Sequence, residues 1–161
     1  MAPQPQIPKK EKLARLDTVA TLLQTKGYDV WNISPDATVY EAIERMALKH
    51  VGALPVMSQE TLVGIISERD YARKVILQGR SSQATLVRDI MTPSPIIVAP
   101  HQTVHECLQI MTLRRIRHLP VVDDGNVSGI ISIGDLVKSI IETQEFTIDQ
   151  LHTYITDHYP V

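Results

Sequence analysis

Gly64-Ile65-Ile66-Ser67-Glu68-Arg69-Asp70 is the stretch that decides the fold, because it returns 65 positions later as Gly129-Ile130-Ile131-Ser132-Ile133-Gly134-Asp135. At this offset the segment from Ser34 to Arg73 gives 14 identities in 40 positions without a gap. The match includes Leu54-Pro55-Val56, which falls on Leu119-Pro120-Val121. Unrelated segments would share only a few residues, so the chain contains a duplicated structural unit.

Both repeats predict the same order of elements, β-α-β-β-α. An extended stretch comes first, at Val30–Ile33 and at Ile96–Val98. A helix follows, and it begins with the capping-box pattern Thr-x-x-Glu at Thr38 and at Thr103. Two strands and a second helix complete each repeat. The strands are predicted at Ala53–Met57, Leu62–Ser67, His118–Val122 and Val127–Ser132, and the second helices begin at Ser67 and Ser132.

The rest of the chain flanks these repeats. The tail 1–12 is rich in Pro, Gln and Lys, which predicts disorder. Within 13–29, an amphipathic helix is expected from Leu13 to Lys26, ended by Gly27. The predicted organisation continues with repeat 1 at 30–79, a linker at 80–95 with a helical turn at Val87–Met91, repeat 2 at 96–143, and a C-terminal helix in 144–161 that Thr147 and Gln150 could cap.

Composition limits the possible classes of protein. The 161 residues are 43% hydrophobic but only 4% aromatic, so we expect an aliphatic core. The net charge of −2 argues against a surface that coats nucleic acid, and no apolar run approaches the roughly 20 residues of a membrane span. The single cysteine, Cys107, excludes an internal disulfide. The single cysteine and the lack of a secretory signal in the N-terminal residues predict a cytoplasmic protein, and the lack of a long apolar run predicts that it does not span a membrane.

The Leu-Pro-Val strand and the Gly-Ile-Ile-Ser-x-x-Asp segment, in the same order in both repeats, resemble a tandem pair of cystathionine-β-synthase (CBS) domains, or Bateman module. The resemblance covers Val30 to Ile141, and weaker similarity of the flanking helices suggests a small stand-alone bacterial CBS protein. It implies an α/β (α+β) fold of two pseudo-symmetric repeats packed through their sheets, with extra terminal helices. It also implies two clefts that bind AMP, ADP, ATP, NAD or S-adenosylmethionine, and a homodimer.

Two segments have the residues to bind such a nucleotide: the first motif, Ser67–Asp70, and the second motif, Ser132–Asp135. Each serine ends a strand where a helix begins, and helix N-termini favour anions such as phosphate. The aspartate one turn later can accept two hydrogen bonds from a ribose diol. The same spacing also describes an ordinary helix cap, and the two roles are compatible.

In the family the Ser and Asp of one repeat face the early strands of the other, and this rule assigns the remaining site residues. The first cleft would contain Ser67, Arg69, Asp70 and Thr92 opposite Ile97, Val98, Ile116, Arg117, His118 and Leu119. The second cleft would contain Ser132 and Asp135 opposite Val30, Asn32, Ile33, Val51, Gly52 and Ala53. The resemblance implies that backbone groups of these early strands bind the edge of the adenine, with aliphatic side chains on its faces. Because arginines border the first cleft, we expect it to bind phosphate more strongly.

Other functions have less support in the sequence. His101 and His105 lack a third ligand, so we expect no metal site. No arrangement of a nucleophile with a base is evident, so we expect no enzyme and no catalytic cofactor. We expect no nucleic-acid binding, because aromatic residues do not interleave the arginines near 115. Cys107 is interpreted as a core residue. Trp31 could cover a cleft or pack in the core, and the core is the favoured interpretation. The alternatives for function are a sensor of adenine nucleotides, with a separate protein target, and a dimerising scaffold without a ligand.

Overall fold

The structure is a computed structural model that describes residues 18–158, apart from the side chains of 146, 150 and 154–158. The elements alternate between helices and strands in the order expected for a duplicated unit. They are α1 (Val19–Lys26), α2 (Val39–Lys49), β1 (Ala53–Ser58), β2 (Thr61–Ser67), α3 (Glu68–Tyr71) with a π-helical turn (Ala72–Ile76), α4 (Val87–Ile90), β3 (Thr92–Pro93), α5 (Val104–Arg114), β4 (His118–Asp123), β5 (Asn126–Ser132) and α6 (Ile133–His158).

The chain forms two compact units that do not coincide with the repeats. The sheet unit consists of Tyr28–Val98 and His118–Ile130, so it contains the hairpins of both repeats. This composition agrees with repeats that associate through their sheets. The helical unit consists of Ala99–Arg117 together with the described parts of Met1–Gly27 and Ile131–Val161. Within it, α6 contacts both α1 and α5.

The first helix of each repeat begins after the threonine that its sequence predicts as the cap. The Thr38 hydroxyl accepts the Glu41 N–H at 3.2 Å, and Glu41 Oε2 accepts the Thr38 N–H at 2.7 Å, which completes the capping box. The Thr103 hydroxyl accepts the Glu106 N–H at 3.0 Å. Both helices end at a residue in the left-handed region, His50 with φ 55° and Arg115 with φ 53°.

The two hairpins are built on equivalent two-residue turns. In the second hairpin Asp124 and Gly125 have φ values of 52° and 81°, the pair of positive angles that a tight hairpin turn requires. In the first hairpin Gln59 and Glu60 occupy the same positions with φ 48° and 67°. The first turn therefore adopts a glycine-type conformation without a glycine. Its strands pair antiparallel with a register shift beside Val56.

The first predicted strand of each repeat is much shorter than expected. Val30–Ile33 forms only a parallel bridge between Ile33 and Val56, and Ile96–Val98 forms only a bridge between Val98 and Val121. The chain then leaves the sheet at Ser34-Pro35 and at Ala99-Pro100. Proline has no N–H to donate, so neither stretch can extend past its bridge in the C-terminal direction.

The predictions for the terminal helices need two corrections. Helix α1 begins at Val19 rather than Leu13, because Thr18 is extended (φ −102°, ψ 156°) and its hydroxyl caps the helix by accepting the Thr21 N–H. Helix α6 runs from repeat 2 to His158 without a break. Thr147 therefore does not begin a helix, and its hydroxyl donates to the Thr143 carbonyl within α6 at 2.9 Å. The predicted tail 1–12 and residues 13–17 lie outside the described residues.

An aliphatic core holds the first repeat and α4 together, as the composition predicts. Its members are under 3% exposed and come from the bridge, α2, both strands, the π-helical turn and α4: Ile33, Val39, Ala42, Met46, Leu54, Val56, Ile66, Val75, Val87 and Ile90. Trp31 is not a core residue, which corrects the prediction. It is 38% exposed, and Lys49 Nζ lies 3.9 Å from the centroid of its ring. In the part of the chain described, no helix combines the length and apolar character needed to cross a membrane.

Candidate functional site

The first motif forms a closed cap at the end of β2. The Asp70 N–H donates to Ser67 Oγ at 3.2 Å, and Asp70 Oδ2 accepts both the Ser67 N–H and the Ser67 hydroxyl at 3.0 Å. One carboxylate oxygen is therefore used within the motif. This geometry explains why serine and aspartate occur at this spacing even before a ligand is considered.

The other oxygen of Asp70 contacts a lysine. Lys74 Nζ lies 3.2 Å from Asp70 Oδ1 and also donates to the Ile90 carbonyl at 2.8 Å. The Asp70 side chain is only 15% exposed, so this ion pair is shielded more than a typical surface pair. Lys74 thus connects the first motif to the segment that leads to Thr92.

The helix after each motif does not offer all of its first N–H groups to a ligand. Glu68 N–H donates to the Gly52 carbonyl at 3.0 Å, and at the equivalent place Ile133 N–H donates to the Arg117 carbonyl at 2.9 Å. The third N–H of each helix is held by the serine hydroxyl. The expectation that a phosphate binds to free N–H groups here is therefore wrong for these positions, because each already has an acceptor in the chain.

Thr92 lies beside the first motif in the sheet. Strand β3 pairs antiparallel with β2, with Thr92 opposite Ile65 and Pro93 opposite Gly64. A Cβ at Gly64 would lie 2.6 Å from Met91 Sδ and 2.9 Å from the Thr92 carbonyl oxygen. Glycine is required here because the backbone of β3 passes so closely. The side chain of Thr92 is exposed. Its pairing partner Ile65 lies two residues before Ser67, the end of β2.

Several predicted site residues of the sheet unit have side chains that no ligand can reach. Ile33, Ala53, Val98 and Leu119 are at most 2% exposed and belong to the core. Val98 also uses both backbone groups, since its N–H donates to Pro120 and its carbonyl accepts from Val122. These four side chains therefore cannot flank a base, because the hydrophobic core holds them.

The other predicted strand residues of this unit have accessible surface. Ile97 is 48% exposed and Asn32 is exposed, while Val30, Val51 and Gly52 are half-buried. The Asn32 carbonyl accepts a hydrogen bond from the Arg45 guanidinium, so this backbone oxygen already has a donor. The aliphatic side chain of Ile97 is thus the most accessible of these residues to the face of a base.

His118 and Glu68 lie together next to the first motif. A Cβ at Gly52 would be 3.2 Å from His118 Nε2 and 3.8 Å from Glu68 Oε2. His118 is half-buried and Glu68 directly follows Ser67. His118 therefore lies near the first motif, and its part in binding a ligand stays a prediction. Glu68, which the sequence analysis did not select, lies at the same place. Arg69 lies within the same motif and is exposed.

The second motif has the same cap and a different cation. The Asp135 N–H donates to Ser132 Oγ at 3.2 Å, and Asp135 Oδ2 accepts the Ser132 N–H at 2.8 Å. Lys26, at the end of α1, places its Nζ 2.7 Å from the same Oδ2. Sequence analysis missed Lys26, since it lies 109 residues away and outside the repeats. Lys74, four residues after Asp70, could have been found from helical spacing.

The remaining assignments of the two clefts stay predictions. Ile116 is half-buried and Arg117 is exposed, and both belong to the helical unit, whereas Ser67 and Asp70 belong to the sheet unit. Ser132 and Asp135 belong to the helical unit, whereas Val30, Asn32, Ile33, Val51, Gly52 and Ala53 belong to the sheet unit.

The described residues contain no group of three or more His, Cys, Asp and Glu side chains that could hold a metal ion. Cys107 is fully buried in α5, as predicted. Burial, and secondarily the negative charge of Glu106, raises the pKa of the Cys107 thiol to about 11. The thiol therefore stays protonated at neutral pH and is a poor nucleophile.

Comparison with known proteins agrees with this geometry. The CBS domain profile matches residues 23–76 and 87–142. The protein CBSX3, mitochondrial, of Arabidopsis thaliana is 41% identical over 152 residues, which cover 88% of this chain and 73% of the relative.

Solved structures show the same relationship. A CBS-domain protein from Burkholderia ambifaria is 49% identical with a TM-score of 0.75, covering 78% of this chain and 94% of that one. The protein PAE2072 from Pyrobaculum aerophilum, complexed with AMP, is 25% identical with a TM-score of 0.69, covering 80% and 98%. With two matched repeats and relatives along most of its length, the chain belongs to the CBS-domain family.

Proposed function

We propose that this protein is a regulatory module that binds an adenine nucleotide and reports it by a change of conformation. The observation that carries the proposal is the repeated cap in which an aspartate carboxylate is fixed one turn after a serine, at Asp70 and at Asp135. A ribose diol is a suitable ligand for such a carboxylate. The AMP bound by the relative PAE2072 supports this class of ligand.

The ligand would be AMP, ADP, ATP, NAD or S-adenosylmethionine, which share adenosine. We propose that the first site uses Ser67, Asp70 and Thr92 with the exposed side chain of Ile97 against the base. The second would use Ser132 and Asp135. The expectation that the first site binds phosphate more strongly, based on arginines, stays a prediction.

The contacts of Asp70 suggest how binding could change the structure. A diol that binds Asp70 Oδ1 must compete with Lys74, and Lys74 also holds the Ile90 carbonyl before β3. Release of Lys74 would loosen the segment that carries Thr92. A ligand shifts such an equilibrium only to the extent that it binds one conformation better than the other.

A thermal-shift panel tests the proposal against the scaffold alternative. The alternative has an observation in its favour, because the serines and aspartates are already explained as helix caps. A ligand at 100 times its dissociation constant adds about 2.7 kcal/mol to the free energy of unfolding. For a domain of this size the melting temperature should rise by about 5–10 °C. No shift with any of the five ligands would favour the scaffold.

We also propose that the module is a homodimer. Each repeat exposes large apolar side chains at equivalent positions, namely Leu48 and Leu113, at 71% and 82%, and Ile76 and Ile141. Duplication of an exposed apolar residue in both repeats suggests a surface that is covered by a partner. Light scattering on Leu48→Glu/Leu113→Glu should show a monomer. The control Tyr40→Glu should stay a dimer, because Tyr40 is exposed but its equivalent in the second repeat is the polar His105. A wild-type monomer would refute this proposal.

No enzymatic activity is proposed, and any regulated target would be a separate protein. We propose a cytoplasmic location from the single buried cysteine, which suits a reducing compartment. Fractionation or fluorescence imaging of the tagged full chain would test the location. An organellar or extracellular signal would contradict it.

A further inference from the structure

Helix α6 is much longer than its equivalent in repeat 1. In repeat 1 the helical segment after the first motif ends with the π-helical turn at Ile76. The equivalent position in repeat 2 is Ile141, and α6 continues from there to His158. The match to the CBS domain profile ends at residue 142. The end of α6, about four turns long, is therefore an addition to the repeat.

An apolar stripe runs along one side of α6. Its members are between 47% and 63% exposed and follow one another at intervals of four, seven and three residues, with the exposed Gln144 inside the gap of seven. Side chains at this spacing share one face, as in helices that pack against each other in coiled coils. The stripe consists of Val137, Ile141, Ile148 and Leu151.

The charges beside this apolar stripe change sign along the helix. Lys138, Glu145 and Asp149 are exposed on the same flank, so the flank is basic near the start of α6 and acidic further along. Lys138 Nζ lies 4.0 Å from Glu142 Oε1, and both side chains are more than half exposed. An ion pair as exposed as this is weak, so it leaves Lys138 able to contact a second acid.

We propose that the apolar stripe packs against the same stripe of a second copy, with the two α6 helices antiparallel. The inference rests on the proposed homodimer and deepens it, because it names a helix that joins the copies. When a two-fold axis relates antiparallel helices, the same flank of each helix meets its own copy. Packing of Ile141 near the partner's Gln144 then brings Lys138 to the partner's Glu145, and the pair forms twice.

The charge pattern favours this direction over a parallel one. In a parallel pair the charged flank of one helix meets the opposite flank of the other, as the e and g positions do in parallel coiled coils. That opposite flank carries Ile140 and Thr147, so no ion pair would form there. Antiparallel helices also place opposite ends of their dipoles side by side, which adds to the preference.

The apolar stripe continues the surface already proposed for the homodimer. Ile141 belongs to both, and Leu113 lies on α5, which packs against α6. Four partly exposed side chains offer less than the roughly 800 Å² per partner that a stable dimer buries. The stripe therefore adds to the surface around Leu113 and does not replace it. The polar Gln144 within the stripe would favour one register, as single polar residues do in coiled coils.

Sedimentation equilibrium of the full chain tests the apolar contact through the dimer dissociation constant. Ile148→Gln/Leu151→Gln changes only the part of the stripe beyond the repeat, and glutamine is a good helix former. We expect the dissociation constant to rise about tenfold or more, because the symmetric contact loses both side chains from each copy. The matched control is Tyr28→Gln, which removes an exposed apolar side chain outside α6 and should leave the dissociation constant unchanged.

Charge reversal tests the antiparallel direction. Lys138→Glu and Glu145→Lys should each raise the dimer dissociation constant about threefold or more at low salt, since each places like charges together twice. The double variant Lys138→Glu/Glu145→Lys should restore the wild-type value, because the ion pairs form again with their signs exchanged. Circular dichroism checks that α6 stays helical in every variant.

The outcomes separate this inference from the proposed homodimer. A wild-type dimer whose dissociation constant is the same in Ile148→Gln/Leu151→Gln would overturn the role of the apolar stripe and leave the homodimer intact. A double charge variant that dimerises as weakly as the single variants would overturn the antiparallel pairing. A wild-type monomer would refute the homodimer and the inference together.

Discussion

Gly64→Ala should destabilise the protein, because the new Cβ would enter space occupied by β3. It would lie 2.9 Å from the Thr92 carbonyl oxygen and 2.6 Å from Met91 Sδ. Carbon atoms in folded proteins pack best at about 3.5–4.0 Å from their neighbours, so the two strands must separate by several tenths of an ångström. Methionine can swing away, but the Thr92 carbonyl belongs to the backbone and is paired in the sheet.

Overpacking of this kind costs about 1–3 kcal/mol. For a domain of this size the melting temperature should fall by about 2–12 °C. Thermal unfolding by circular dichroism measures the effect, and Gly64→Ala/Met91→Ala should not recover it, because the backbone contact persists.

Gly134→Ala is the matched control for this substitution. It adds the same methyl group, but its nearest neighbour would be Ser132 Oγ at 3.6 Å, an ordinary contact. Gly134 lies in α6, where alanine is the better helix former, so stability should be unchanged or should rise by up to about 1 kcal/mol. The cost of overpacking predicts a fall in melting temperature of more than about 1 °C. A melting temperature of Gly64→Ala closer to the wild type than this would refute the reasoning from the close approach of β3.

Three further predictions concern the folding of the repeats. Glu60→Gly should raise the free energy of unfolding by about 1 kcal/mol in urea titrations, because Glu60 has φ 67° where the second hairpin has Gly125; a loss of stability would contradict the turn assignment. Thr38→Ala should lower the free energy of unfolding by about 1 kcal/mol, because the Glu41 N–H loses its acceptor, the Thr38 hydroxyl. An effect near zero would show that this cap is dispensable. The unfolding free energy should fall as pH rises from 9.0 to about 11, since Cys107 keeps its proton longer when folded than when unfolded, and Cys107→Ala should flatten that part of the profile.

Local patterns account for the parts of the fold that the sequence predicts well. The helix at Thr38 begins where the capping box places it, and the turn at Asp124-Gly125 lies where its residues favour positive φ. Each of these depends on contacts within a few residues. Repetition of the pattern in both halves of the chain strengthens each prediction.

Predictions fail where distant contacts or competing local bonds decide the conformation. Thr147 has the spacing of a cap, but its hydroxyl bonds to the carbonyl four residues earlier and α6 continues. The aliphatic residues Val98 and Leu119 suit the face of a base as well as a core, and only packing distinguishes these roles. The contact of Lys26 with Asp135 joins residues 109 positions apart and has no local signal.

Calorimetric titration of AMP into the nucleotide-stripped wild type, Asp70→Ala, Asp135→Ala and the double variant tests the central claim most directly. If the fixed aspartates bind ribose, the wild type should bind AMP, at least one single variant should bind it more weakly, and the double variant should not bind it. AMP binding that is equal in all four proteins would contradict the assignment of the site. Absence of binding by the wild type, extended to ATP, NAD and S-adenosylmethionine, would contradict the function as a nucleotide sensor.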